Sequence, residues 1–107
     1  MTRSDRFKPG DLAWISKRAG HWYLTARQQV DKGYPPSIRL EVGKPCTIIR
    51  RAFAKDYGVY KRSTLNGESV AAQWARASWL VLYEGVPAMI EDEWLNKRCY
   101  KPRKPKE

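Results

Sequence analysis

Two apolar runs in the last third of the chain are separated by a two-residue turn. The runs are residues 79–83 and 86–90, with Glu84-Gly85 between them. β-Branched and aromatic runs joined by such a short glycine-containing turn are typical of a β-hairpin. An acidic segment, residues 91–93, and then Trp94-Leu95 follow. The pattern therefore predicts a hairpin, one short helical turn and a closing strand.

Alternating apolar and polar residues predict further strands earlier in the chain. A Pro9-Gly10-Asp11 turn leads into a first strand, and residues 38–42 and 46–53 are two more, the latter rich in β-branched residues. Residues 22–26 also alternate, but residues 24–29 equally suit the start of a helix, because Leu, Ala, Arg and Gln all favour one. We favour a strand for residues 22–26 and leave the rest of that segment open.

The middle of the chain carries weaker signals. Residues 31–37 contain two adjacent prolines, which exclude regular structure there. Residues 59–61 follow a turn and fit a strand that pairs back, and Asn66-Gly67 is a turn dipeptide. In residues 69–77, apolar side chains recur at i, i+4 and i+7, which predicts a short helix.

These elements together predict an all-β fold of about five strands, strongly bent into a small, partly open barrel. The segments GDLAW, EVGKPCTII and WLVLYEGVPAMIEDEWL resemble parts of small SH3-like proteins of tailed bacteriophages. The resemblance covers residues 7–100 and implies an SH3-like β-barrel with a short helical turn in residues 1–100. The insert at residues 60–77 is longer than a minimal barrel loop and departs from that pattern.

A second, more distant similarity concerns the segment FKPGDLAWISKRAGHWYLTARQQV. It is similar to the opening of PWWP domains, a barrel family whose members bind DNA and methylated lysine. Gly10-Asp11-Leu12 and Trp14 match the entry strand of that family. The segment His21-Trp22-Tyr23-Leu24 stands where the Pro-Trp-Trp-Pro element would be, but both prolines are missing.

The charge of the chain favours an anionic partner. The 107 residues carry 21 Lys plus Arg against 11 Asp plus Glu, a net charge of +10, and such a field attracts polyanions. Half of the excess lies in residues 97–107, where prolines separate the basic residues. This composition predicts a disordered tail over residues 101–107. Such a tail either wraps phosphates or only solubilises the protein.

Catalytic and metal-binding patterns are missing from the sequence. Its one histidine, His21, has no Ser or Cys near it, and the adjacent carboxylates of residues 91–93 do not face one another as an acid/base pair would. Cys46 and Cys99 lack the spacing of a zinc site or a redox pair. We therefore expect a non-enzymatic protein with no cofactor and no metal. We also expect reduced thiols and no membrane association. The expected location is the cytoplasm, which for a phage protein is the cytoplasm of the host, or a virion.

Aromatic residues on a basic background are the better lead. Aromatic faces stack on unpaired bases while Lys or Arg holds the phosphate backbone, although a small barrel also needs large residues to fill its core. We assign Trp14, Trp79 and Trp94 to the core and place Tyr57 and Tyr60 at the surface. The predicted nucleic-acid-binding residues are Lys17, Arg18, Trp22, Tyr23, Arg51, Arg62, Lys101, Arg103 and Lys104.

Two functional hypotheses follow from this sequence. In the first, the protein is a basic binding module that contacts nucleic acid through its loops and tail, with little sequence preference. In the second, it is a structural or interaction protein that docks on a virion subunit or a host protein. Trp22, Tyr23 and Tyr34 would then form the energetic centre of the interface, and an acidic partner protein would suit the charge.

Overall fold

The computed structural model describes residues 6–16, 24–29 and 35–98. The strands in this part are β1 (Leu12–Ile15), β2 (Leu24–Gln28), β3 (Ser37–Leu40), β4 (Pro45–Arg51), β5 (Thr64–Leu65), β6 (Glu68–Ser69), β7 (Ser78–Tyr83), β8 (Val86–Glu91) and β9 (Leu95–Asn96). One α-helix, α1 (Val70–Arg76), and two 3₁₀ segments, Ala54–Arg62 and Asp92–Trp94, complete it. No helix in these ranges is long and apolar enough to cross a membrane.

Seven strands form one open antiparallel sheet in the order β3-β2-β8-β7-β4-β1-β9, and β5 pairs only with β6. The predicted all-β class is confirmed. The sheet has seven strands rather than the predicted five or so. The strand favoured for residues 22–26 is observed as β2, which begins at Leu24.

The hairpin predicted from the two apolar runs is confirmed. Strands β7 and β8 pair from Ser78↔Glu91 to Tyr83↔Val86. Both turn residues have positive φ, 48° at Glu84 and 79° at Gly85, as a type I′ turn requires. The acidic segment then forms the second 3₁₀ segment, and β9 returns to pair with β1.

The main core lies on one face of the sheet. Trp79, predicted as a core residue, is buried there together with Val81, Ile90, Ile15 and Ile48. Trp94 packs against this core from a half-buried position.

The prediction that Trp14 is a core residue is wrong, because Ala13 and Ile15 are the residues of β1 that face the core. Side chains of a strand alternate between the two faces of the sheet. Trp14, between these two residues, is half-buried on the other side.

A second core covers part of the opposite face. Leu80 and Met89 are buried there by the 3₁₀ segment Ala54–Arg62 and by α1, whose Ala71 and Ala75 supply small contact residues. The predicted helix in residues 69–77 is confirmed as α1. The strand predicted for residues 59–61 is wrong, since these residues belong to the 3₁₀ segment.

Tyr57, predicted at the surface, is only 4% exposed. Its hydroxyl donates a hydrogen bond of 2.9 Å to the Ser78 Oγ, and its ring lies 5.4 Å from that of Trp74. The side chain is buried because the insert folds back onto the sheet rather than extending from it.

Candidate nucleic-acid interface

Seven of the nine predicted binding residues lie outside the described ranges: Lys17, Arg18, Trp22, Tyr23, Lys101, Arg103 and Lys104. The other two are described. Arg51 is half-buried at the end of β4, and Arg62 is exposed at the far end of the first 3₁₀ segment. The arrangement of basic and aromatic groups around Arg51 defines the candidate interface.

An exposed aromatic ring lies two residues after the end of β4. Phe53 is 48% exposed, and two cations lie over its ring, with the Arg50 Cζ at 4.5 Å and the Lys55 Nζ at 5.7 Å from the centroid. Cations at such distances are attracted by the ring quadrupole. The segment RRAFAK thus forms a local basic and aromatic cluster.

Arg50 is fixed in this cluster by a buried carboxylate. Its guanidinium donates to both carboxylate oxygens of Asp56, at 2.8 and 2.9 Å, and Asp56 also accepts from the Phe53 N–H at 2.8 Å and the Gln29 Nε2 at 3.0 Å. Burial by itself would raise the pKa of Asp56, but these hydrogen bonds, led by that from Arg50, outweigh it and lower the pKa. Asp56 is therefore ionised and holds Arg50 in place.

Arg51, the next residue, also lies on an aromatic ring. Its Cζ lies 4.9 Å from the centre of the Trp79 ring, which meets the Phe7 ring edge-on at 5.7 Å. The Arg50 Nη1 donates to the Arg51 carbonyl at 2.9 Å, so the two arginines are joined.

The Phe7 ring carries two more cations. The Arg6 Cζ lies 5.1 Å and the Lys97 Nζ 5.9 Å from its centroid. We call this run of contacts the cation–aromatic strip; it consists of Arg6, Phe7, Arg50, Arg51, Phe53, Lys55, Trp79 and Lys97.

Among the residues that the structure describes, two carboxylates are seen to contact the strip directly. One is Asp56, and the other is Asp92, which accepts from Arg6 at 3.0 Å and from the Trp79 Nε1 at 2.7 Å. Counted over the described residues, the strip therefore has five basic side chains against these two carboxylates, a net positive charge.

Within the described ranges, three other acidic side chains pair with basic residues outside the strip. Arg76 binds Glu68, and Lys44 lies 3.8 Å from Glu41 and 4.0 Å from Glu84. Such exposed pairs add little to stability. These three carboxylates are therefore paired with basic residues that do not belong to the strip.

A cleft of about 270 Å³ opens on another part of the sheet. Strands β2 and β8 pair at Arg27↔Met89 and Gln28↔Ala88, whereas β2 begins three residues before Arg27 and β8 continues for two residues after Met89. The strands diverge over these unpaired lengths. Side chains that line the resulting cleft include Thr25, Arg27, Ser37, Trp74, Glu91 and Trp94.

Arg27 is positioned in this cleft by aromatic rings. Its Cζ lies 4.9 Å from the Tyr60 centroid and 4.8 Å from that of Trp74, and its Nη1 donates to the Tyr60 hydroxyl at 3.5 Å. Tyr60, predicted at the surface, is half-buried by these contacts. Glu91 is also half-buried, and burial, with a smaller contribution from the charge of Glu93, raises its pKa.

Sequence reasoning missed several of these residues. It did not single out Phe53, although the basic residues around it are a visible signal. It placed Glu91 in the acidic segment after the hairpin and gave it no binding role. It had no means of finding Arg27, since the cleft forms only when β2 pairs with a strand about sixty residues further along the chain.

The described residues hold no cluster of three His, Cys, Asp or Glu side chains that could bind a metal ion. Cys46 is a buried free thiol, and burial raises its pKa to about 12. It is therefore protonated at neutral pH and a poor nucleophile. The groups that do converge, cations on aromatic rings and a mixed polar cleft, suit binding. In comparisons with protein-family models, curated proteins and solved structures, the chain has no match.

Proposed function

We propose that this protein is a non-enzymatic, basic SH3-like module, of the type encoded by tailed bacteriophages, that binds nucleic acid through its cationic surface and its C-terminal tail. Its place of action would be the host cytoplasm or the virion. The β7–β8 hairpin, the 3₁₀ turn and the return of β9 to β1 support an SH3-like arrangement, because a small barrel closes its last corner in this way.

The observation that carries the proposal is the cation–aromatic strip. Its ring contacts limit the freedom of the basic side chains, so less conformational entropy is lost when they meet a phosphate. Phe53 adds an exposed ring among these cations, and this combination is used to bind single strands, with bases stacked on rings and phosphates on Lys or Arg.

The strip is also continuous with further positive charge in the sequence. Lys97 is followed by Arg98, and residues 99–107 then contain four more Lys or Arg against one Glu. A ligand bound at Lys97 would therefore be within reach of the tail. We propose that the strip and the tail contact neighbouring phosphates of one strand.

The test is a titration of a labelled single-stranded and a labelled double-stranded oligonucleotide at two salt concentrations. With four to six phosphate contacts, affinity should fall about a hundredfold or more between roughly 50 and 200 mM salt. Lys55→Glu and Lys97→Glu should each weaken binding and lower the salt slope. Lys44→Glu, the same change of charge beside the Glu84-Gly85 turn, is the matched control and should have a smaller effect. Absence of binding at low salt would overturn the proposal.

One observation favours the alternative, a module that docks on an apolar surface of a virion subunit or host protein. Leu12, Thr47, Leu82 and Pro87 are neighbours across β1, β4, β7 and β8, and Leu12 and Leu82 are 55% and 42% exposed. A largely apolar row, interrupted only by the Thr47 hydroxyl, can mark a protein contact. Binding through it would change little with salt, and Leu82→Glu would abolish it. The aromatic residues first considered for this role, Trp22, Tyr23 and Tyr34, lie outside the described ranges.

A further inference from the structure

Glu91 is a half-buried carboxylate without a hydrogen-bond or ion-pair partner among the residues that the structure describes, and it lines the cleft between β2 and β8. Partial removal of the carboxylate from water raises the pKa of Glu91, while its oxygens stay accessible from the cleft. A ligand in the cleft that carries N–H groups could donate to them.

Arg27 lines the same cleft, and its guanidinium lies on the Tyr60 and Trp74 rings rather than on Glu91. A cationic ligand would be attracted by Glu91 but repelled by Arg27. An anionic ligand would be attracted by Arg27 but repelled by Glu91. A neutral, planar ligand with donors on one edge and acceptors on another suits both groups. Trp74 and Trp94 offer aromatic surface for stacking such a ligand.

The size of the cleft restricts the choice further. Its volume of about 270 Å³ lies just below the roughly 300–1,000 Å³ of pockets for drug-sized ligands, so it suits one ring system rather than a larger molecule. An unpaired nucleobase has this size, stacks on aromatic side chains and hydrogen-bonds along its edges. Thr25 and Ser37 provide hydroxyls that can donate or accept at the rim.

Among the bases, guanine fits the two charged groups best. Its N1–H and N2–H point in the same direction and can be accepted together by one carboxylate, a charge-assisted bidentate arrangement. Its O6 and N7 are acceptors for an arginine. From this chemistry we infer that the cleft between β2 and β8 binds one unpaired guanine of a nucleic-acid strand, with Glu91 accepting from N1–H and N2–H and Arg27 donating to the O6 and N7 edge. This inference rests on the proposed nucleic-acid binding.

The test compares three single-stranded heptamers that differ at the central base: all thymidine, one central deoxyguanosine, and one central deoxyinosine. Inosine lacks the N2 amino group and offers Glu91 one donor instead of two. At moderate salt, the guanine heptamer should bind at least about fivefold more tightly than the thymidine heptamer. The inosine heptamer should lie between them.

Two variants identify the group responsible. Glu91→Gln replaces one acceptor oxygen by an amide that opposes the donors of guanine, so the guanine-to-thymidine affinity ratio should fall to about one. Glu93→Gln, the same change two residues away, should keep the ratio. A preference for guanine that survives in Glu91→Gln would overturn the site.

The outcomes also separate this inference from the function on which it rests. Equal, salt-dependent binding of all three heptamers overturns the guanine site and leaves the proposed function intact. Failure to bind any heptamer at low salt overturns both. Loss of the ratio in Glu91→Gln, with an unchanged melting temperature, supports the site, because a merely unfolded variant would show a lower melting temperature.

Discussion

Asp56 links three parts of the molecule, because its carboxylate accepts hydrogen bonds from β4, from the segment that follows β4 and from Gln29, the residue after β2. It is also only 1% exposed. A buried charge of this kind is tolerated because each oxygen has donors. The same contacts position Arg50 over Phe53, so stability and the candidate interface depend on one residue.

We expect Asp56→Ala to destabilise the protein by about 3 kcal/mol, within the range for breaking a buried ion pair. The reason is that Arg50 and the donors around Asp56 would be left without their acceptor. Urea denaturation followed by tryptophan fluorescence measures the change. Glu68→Ala breaks the exposed pair with Arg76 and serves as the control, whose denaturation midpoint should hardly move. Equal midpoints for the two variants would contradict this role of Asp56.

The ionised form of Asp56 should also make the stability of the protein depend on pH. Since the pKa of Asp56 is lowered from 3.8 on folding, its ionised form stabilises the protein fully above that unfolded value, and this contribution is lost as the pH falls through the folded pKa. The difference in stability between the parent and Asp56→Asn should therefore shrink as the pH is lowered below about 4. A difference that stays constant between pH 6 and pH 3 would show that Asp56 does not titrate in this way.

At the scale of secondary-structure elements, the β7–β8 hairpin is stabilised by its pairing and weakened at its turn. Glu84 has a φ of 48°, a conformation that a glutamate adopts at some cost and that asparagine tolerates better. The sheet thus accepts a local strain at the first residue of this turn.

Replacing Glu84 with Asn should raise stability by about 0.5 kcal/mol through relief of this strain. Glu84 also lies near Lys44, so the matched control is Glu41→Asn, which removes the other carboxylate near Lys44 without changing the turn. Thermal melts of both variants test the point. A lower melting temperature for Glu84→Asn than for Glu41→Asn would mean that the turn is not strained.

The elements that could be predicted from the sequence are those whose signals are local. The β7–β8 hairpin needs only two apolar runs and a turn, and α1 needs only the spacing of its apolar residues. Tyr57 was misplaced because its burial depends on the insert folding back over Leu80 and Met89, a contact between distant segments. The cleft was missed for the same reason, since neither β2 nor β8 carries a pattern that shows where their pairing stops.

At the scale of the whole molecule, positive charge is divided between the described residues and the rest of the chain. Of the nine residues predicted from the sequence to bind nucleic acid, seven lie outside the described ranges, and the cation–aromatic strip contains only Arg51 of the other two. The strip and the C-terminal tail are thus two separable sources of attraction. Their contributions can be told apart by removing one of them.

Deleting residues 101–107 removes four Lys or Arg and one Glu, so we expect weaker binding to nucleic acid and a smaller salt slope. The slope should fall by about 0.9 for every phosphate of a duplex that the tail neutralises, and by about 0.7 for every phosphate of a single strand. The melting temperature should not change, because a proline-spaced basic segment has little apolar surface to bury.

A variant in which residues 101–107 are replaced by Gly and Ser is the control for chain length and should behave like the deletion. A melting temperature that falls in both variants would mean that the tail packs on the sheet. An unchanged salt slope would assign the attraction to the strip alone.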